Sequence, residues 1–217
     1  MPGRRKQRRT DRSKLDATPP WERRAHEEPE PTSGPYDERD APTDEVQRID
    51  LGALRIPVSE AYDVRLDLNE AQQVLSATLA ARDGTMQLGV FAAPRNEGIW
   101  DEVRAEIAES LNAQRRGSAT EQDGPFGTEL RATLPAEGGK GATGAGGTVP
   151  ARFIGVDGPR WFVRALLAGA VAADPVKGKP FEDAFRGCIV VRGNEPLPVR
   201  EGVPLRLPND IELPTTE

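Results

Sequence analysis

Four arginines, Arg131, Arg152, Arg160 and Arg164, fall on or beside runs of alternating residues that read as neighbouring strands, with Glu129 and Asp157 among them. Guanidinium groups gathered on one sheet face can grip a phosphate or carboxylate through paired N–H bonds, so these four are the candidate anion- or partner-binding residues. The same residue types equally suit an exposed face laced with cross-strand ion pairs. A second basic group opens the chain. Arg4, Arg5, Lys6, Arg8, Arg9 and Arg12, with Lys14, place seven cations in the first fourteen residues against one acid, Asp11. Such an arm meets a phosphate backbone by charge alone, with binding that falls steeply with salt.

Other groups point to less chemistry. Gly139, Gly141 and Gly144 match the spacing of a dinucleotide-binding turn, but they sit in GGKGATGAGG and lead into a strand. That turn must open a helix, whose N-terminus receives the pyrophosphate, so the stretch reads as a flexible hairpin loop. Cys188 is the single cysteine, which excludes an internal disulfide and any cysteine-based metal cluster. The single histidine, His26, lies in a stretch rich in proline and glutamate. The folded part then has no imidazole to act as base or ligand, which removes Ser-His-Asp catalysis and most zinc chemistry, and no cofactor is expected. Glu97, Asp101 and Glu102 read as acids that complement a helix N-terminus. Trp100 and Trp161 read as core aromatics, and a small-molecule pocket beside them is an alternative. Trp21, alone between Pro20 and Glu22, is a candidate anchor in a short linear motif.

The elements that must position these groups follow from composition and period. With 217 residues, 20 Pro and 22 Gly, the chain suits one core with irregular ends. Residues 1–45, basic then acidic and poor in aliphatic side chains, are expected to be a disordered tail; residues 46–208 a single domain; and residues 209–217 a flexible acidic end. Strands are expected over 51–58 and 62–68, and over 74–81 and 85–93 around Arg82-Asp83-Gly84. Further strands are expected over 127–134, and over 149–156 and 160–168 around Asp157-Gly158-Pro159. A helix over 97–116, capped by Asn96 and stopped by Gly117, presents Ile99, Val103, Ile107 and Leu111 on one side. A second is expected over 181–189, with Cys188 on its apolar side. The order strands, helix, strands, helix argues for an α+β fold: a mostly antiparallel sheet with two helices packed on one face. The longest apolar run, residues 165–173, is far short of the roughly 20 residues that span a bilayer, so no membrane span is expected and the protein reads as cytoplasmic.

Six blocks carry a resemblance: GPYDERDAP (34–42), RIDLGALRIP (48–57), FAAPRNEGIWDEVR (91–104), DGPFGTELRA (123–132), FIGVDGPRWFVRALLAG (153–169) and VVRGNEPLP (190–198). Together they resemble an uncharacterised family of actinobacterial cytoplasmic proteins, a domain of unknown function, over residues 34 to 208. The resemblance implies no activity, cofactor or site residue. A looser likeness to folds of the Mog1/PsbP type and to secretion-chaperone-like domains implies a binding or adaptor module, because a sheet with its helices on one side leaves the other open to partners. The expectation is a non-enzymatic adaptor or regulatory protein that binds an unidentified protein partner through its sheet face and proline-rich ends. A nucleic-acid-associated protein using weak contacts of the basic arm is the first alternative. A small-molecule-binding protein or enzyme with a pocket near Trp100 and Trp161 is the second.

Overall fold

The computed structural model describes residues 34–69, 73–113, 117–135 and 147–208. In chain order the strands are β1 (Tyr36–Asp37), β2 (Arg48–Asp50), β3 (Leu54–Pro57), β4 (Asp63–Leu68), β5 (Val74–Ala81) and β6 (Gly84–Ala92). Helix α1 (Trp100–Asn112) follows, then β7 (Ser118–Gly124), β8 (Gly127–Pro135), β9 (Thr148–Gly158) and β10 (Trp161–Gly169). Helices α2 (Ala170–Ala173) and α3 (Pro175–Arg186) and strand β11 (Ile189–Val190) complete the order. Strands β4–β5–β6–β10–β9–β8–β7 form a seven-stranded antiparallel sheet, and β1–β11–β3–β2 form a second, in which only the β1–β11 pair is parallel. The fold is therefore α+β with mostly antiparallel sheets.

The period of two that marks the strands also decides what covers them. On β10, Trp161, Val163, Ala165 and Leu167 point to one face while Phe162 and Leu166 point to the other, so this central strand is apolar on both sides and both need cover. The first face meets α2, α3 and the smaller sheet, burying Leu79, Met86, Leu88 and Ile154 with Leu54, Phe181, Phe185 and Val190. The second face meets α1, whose Trp100 and Leu111, with Ile99 just before the helix, pack on Leu130, Ala132, Ala151, Phe153 and Phe162. Helices thus lie on opposite faces, which corrects the expected arrangement of two helices on one face.

Helix α1 starts three residues later than expected, and its start is not held by Asn96. Asp157, from the β9–β10 hairpin, accepts hydrogen bonds from the backbone N–H of Ile99 at 2.8 Å and of Trp100 at 3.1 Å. This remote carboxylate does the work of an N-cap, worth about 1 kcal/mol, and complements the helix dipole. The second long helix begins at Pro175, well before the expected position, because Asp174 caps it by accepting from Val176 N at 2.9 Å and proline suits the first turn. Cys188 consequently lies beyond the helix end. It is fully buried, its Sγ faces the Ala184 carbonyl at 3.3 Å, and burial pushes its thiol up to about 12.

Both ends of the domain are tied down by backbone pairing. Residues 34–45, assigned above to the tail, contain β1, and Asp37 accepts a hydrogen bond from the Trp161 indole N–H at 2.7 Å. Near the other end Val203 and Leu205 are buried, with Val203 N bonded to Val90 O at 2.8 Å and Arg206 N to Leu51 O at 2.7 Å. Residues 1–33, the glycine-rich stretch 136–146 expected to be a hairpin loop, and residues 209–217 lie outside the described residues. Among the described residues no helix is long and apolar enough to cross a membrane, and no group of three metal-ligating side chains is found.

Candidate functional site

The four strand arginines go to three different places. Arg131 on β8 and Arg152 on β9 stand directly opposite each other on the first face. Two cations so placed repel unless acids intervene. Glu129, two residues along β8 and so on the same side, inserts its carboxylate: Oε1 meets Arg131 Nε at 2.8 Å and Oε2 meets Arg152 Nη2 at 2.7 Å. Glu182 of α3 takes Arg152 Nη1, and Arg131 Nη1 donates to the Ala172 carbonyl of α2 at 2.7 Å. Glu129 is 1% exposed and Arg152 2%. Burial opposes the charge on Arg152, but its bonds to Glu129 and Glu182 outweigh that and hold its pKa above the ordinary arginine value.

Two arginines and two glutamates leave this cluster with no net charge and little room. Gly124 of β7 lies so close beneath Glu129 that a Cβ there would stand 2.2 Å from Oε2. The two Glu129 contacts are close ion pairs without hydrogen-bond alignment, and Arg152 Nε has no hydrogen-bond partner among the described residues. The group therefore docks α2 and α3 onto the sheet and is not an open anion site.

Arg160 contributes its backbone. It occupies the hairpin turn with φ 65°, and its carbonyl accepts from Ala93 N at 3.0 Å and from Arg192 Nε at 3.1 Å. Arg164 alone of the four faces the second side of the sheet. Its guanidinium lies over the Phe91 ring at 5.2 Å and makes no hydrogen bond or ion pair among the described residues. Partial burial lowers its pKa from the ordinary value without an acid to offset the effect.

Arg164 ends a row of stacked groups that crosses this face. Arg104 lies over Trp100 at 5.7 Å, Trp100 stacks on Phe162 at 5.7 Å and 22°, and Phe162 meets Phe91 at 5.9 Å. The row starts under α1 and emerges where the helix stops covering the sheet. From there β10, β6, β5 and β4 present an open surface among the described residues, with a depression of about 210 Å³ lined by Leu75, Ser76, Gln87, Gly89, Phe91 and Arg164.

A strand irregularity gives the depression its apolar wall. Asp67 pairs with Ser76 but Leu68 pairs with Val74, so β5 carries one extra residue and Leu75 turns outward, 62% exposed. The bare Gly89 forms the floor beside the Phe91 ring. At the far side Asp67 Oδ2 accepts from Ser76 Oγ at 2.6 Å, Thr78 Oγ1 at 2.8 Å and Gln87 Nε2 at 3.3 Å. Burial raises the Asp67 pKa, and the three donors overcome it, holding the carboxyl below the usual range.

A second depression, between the β3–β4 connection and α3, offers little unused polarity. Tyr62 Oη donates to the Pro57 carbonyl at 2.8 Å, and Lys179 pairs with Asp183. Trp100 and Trp161 do not share a pocket: they are buried on opposite faces, with their indole N–H groups bonded to Thr128 O and Asp37 Oδ2. The basic arm, Arg4, Arg5, Lys6, Arg8, Arg9 and Arg12, lies outside the described residues. Leu75, Gln87, Phe91 and Glu182 were missed by sequence reasoning. Only Phe91 left a usable signal, as a large aromatic on the polar side of β6, whereas the bulge behind Leu75 has none.

Three comparisons bear on the chain. Residues 34–213 match a family described as "Protein of unknown function (DUF3710)". No curated protein matches. A solved structure similar in part is the solution structure of cyanobacterial PsbP (CyanoP) from Synechocystis, 12% identical, covering 67% of this chain and 92% of its own, with a TM-score of 0.39.

Proposed function

For a chain that belongs to the DUF3710 family, whose description names no activity, we propose a non-enzymatic binding role, in which the open half of the second sheet face docks a protein partner. The observation that carries this reading is Arg164: a cation with no acid partner among the described residues, stacked on Phe91 beside the exposed Leu75. Isolated apolar residues on a surface are ordinary, but an outward leucine, an aromatic ring and an unpaired guanidinium around one hollow make the mixture that interfaces use as anchors.

The disposition of the reactive side chains supports binding over catalysis. Glu129 and Glu182 neutralise arginines, Asp157 caps α1, and the Cys188 thiol is buried. Each has a structural task, and none of these groups lines the depression. The hollow is smaller than the roughly 300–1,000 Å³ of pockets that enclose small ligands, which favours a partner laid across the surface.

Leu75→Asp tests this reading, since a carboxylate at an exposed position leaves the core untouched. Co-purification from the native cells of tagged full-length chains should lose a discrete partner with Leu75→Asp and keep it with Val176→Asp, a change at a still more exposed valine on α3. Equal recovery with both variants would exclude the face.

A further inference from the structure

We infer that the Arg164–Phe91 pair is a carboxylate receptor, and that the partner enters as an extended acidic peptide segment with a glutamate on Arg164 and an aliphatic side chain against Leu75. The inference rests on the docking reading above and adds the chemistry of the occupant.

Arg164 supplies the first reason. Cations elsewhere on the described surface that face acids are compensated, as with Arg200 against Glu102 and Glu106, or Arg104 against Asp101 and Glu121. Arg164 lies over the Phe91 ring at 5.2 Å and makes no hydrogen bond or ion pair among the described residues, which leaves the N–H edge of its fork without a partner there. That edge matches the two oxygens of a carboxylate, and partial burial strengthens a charge-assisted bond made there.

The remaining charges on the open half do not cancel it. Asp67 is occupied by three donors and lies on β4, three strands from β10. Arg65, on the same side of β4, makes no ion pair among the described residues, and Asp63 stands at the far end of that strand. Arg164 is the one charged side chain among those that line the hollow, and Asp67 and Arg65, of opposite sign, lie beyond them on β4.

Spacing selects a peptide. Leu75 on β5 and Arg164 on β10 are separated by β6, so they stand roughly 10 Å apart at about 4.8 Å per strand. In an extended chain residues i and i+2 face the same side about 7 Å apart, and the length of a glutamate side chain spans the remainder. A leucine followed two residues later by glutamate bridges the two anchors, whereas a small anion would leave Leu75 uncovered.

The test is an NMR titration of the full chain with the peptide acetyl-Ala-Leu-Ser-Glu-Ala-amide, and with its glutamine counterpart. The readouts are the Arg164 side-chain Nε–H, the Gly89 amide and the Gln87 side-chain amide. The glutamate peptide is expected to shift all three, and the glutamine peptide to bind about tenfold more weakly. In Arg164→Gln the two peptides should bind alike, while unchanged amide spectra elsewhere establish that the variant is folded. Equal binding of both peptides to the natural chain overturns the carboxylate receptor and leaves the docking face standing. Failure of both to shift Gly89 and Gln87 overturns both readings.

Discussion

Arg152→Ala is expected to cost about 3–5 kcal/mol of folding stability, well above the loss expected from breaking an exposed ion pair of the domain. The reason is what the change leaves behind. Arg152 joins Glu129 to Glu182 at a point where Glu129 is 1% exposed. Removing the guanidinium strands a buried carboxylate beside Gly124, with the half-exposed Arg131 as its sole remaining cation. Arg152→Lys should also destabilise, because one ammonium cannot meet two carboxylates in a fixed fork. Replacing Arg152 by Met together with Glu129 and Glu182 by Gln should recover much of the loss, since it removes the buried charges and leaves without an acid only Arg131, a third of whose side chain is open to water. Urea unfolding monitored by circular dichroism measures each. A loss below about 1 kcal/mol for Arg152→Ala would mean that water solvates the site and that the cluster does not dock the helices.

Phe162→Ala is expected to cost a similar 3–5 kcal/mol, and to reach the binding face as well. Phe162 is 2% exposed and lies between Trp100 and Phe91, so its ring transmits the packing of α1 to the place where Arg164 emerges. Its removal opens a cavity under the helix and takes away one side of the Phe91 ring. Near-ultraviolet circular dichroism should therefore lose part of the Trp100 signal, and Arg164 should lose its fixed orientation along with the stability. A variant that unfolds like the natural chain, with the aromatic signal intact, would show that the row of rings is not a packed unit.

Much of the sheet was legible, and the reason is the period of two. Asp63 to Leu68, Val74 to Ala81 and Trp161 to Gly169 alternate or run apolar as strands do, and Arg82-Asp83 and Pro159-Arg160 turn the two clearest hairpins. Alternation tells that a strand has two faces but not which element covers each, so the placement of helices on opposite sides was not readable. Helix starts were misread for a related reason. Asn96 has the right chemistry for a cap, but the carboxylate that caps α1 comes from Asp157, 57 residues beyond Trp100 and brought there only by the hairpin.

The candidate site was legible by residue type and not by grouping. Arg131 and Arg152 share a face because their register pairs them, and Glu129 could be placed between them by counting two residues along the strand. Glu182 could not, since it borders the apolar stripe of a helix whose start was misplaced. Arg164 has the opposite parity on β10 from the residues that face this cluster, which separates it from Arg131 and Arg152 by the thickness of the sheet. Its companion Leu75 depends on a bulge, and one extra residue in a strand leaves no periodic trace.

Site-specific photo-crosslinking in the cells that make the protein examines the docking face most directly. With benzoylphenylalanine at position 75 or 87 of the full chain, irradiation should yield a discrete crosslinked partner, the yield should fall when Arg164 is also changed to Gln, and the same probe at position 176 should yield none. Crosslinks of equal yield from positions 75 and 176, or a position-75 adduct indifferent to Arg164, would contradict a partner-binding role for this face.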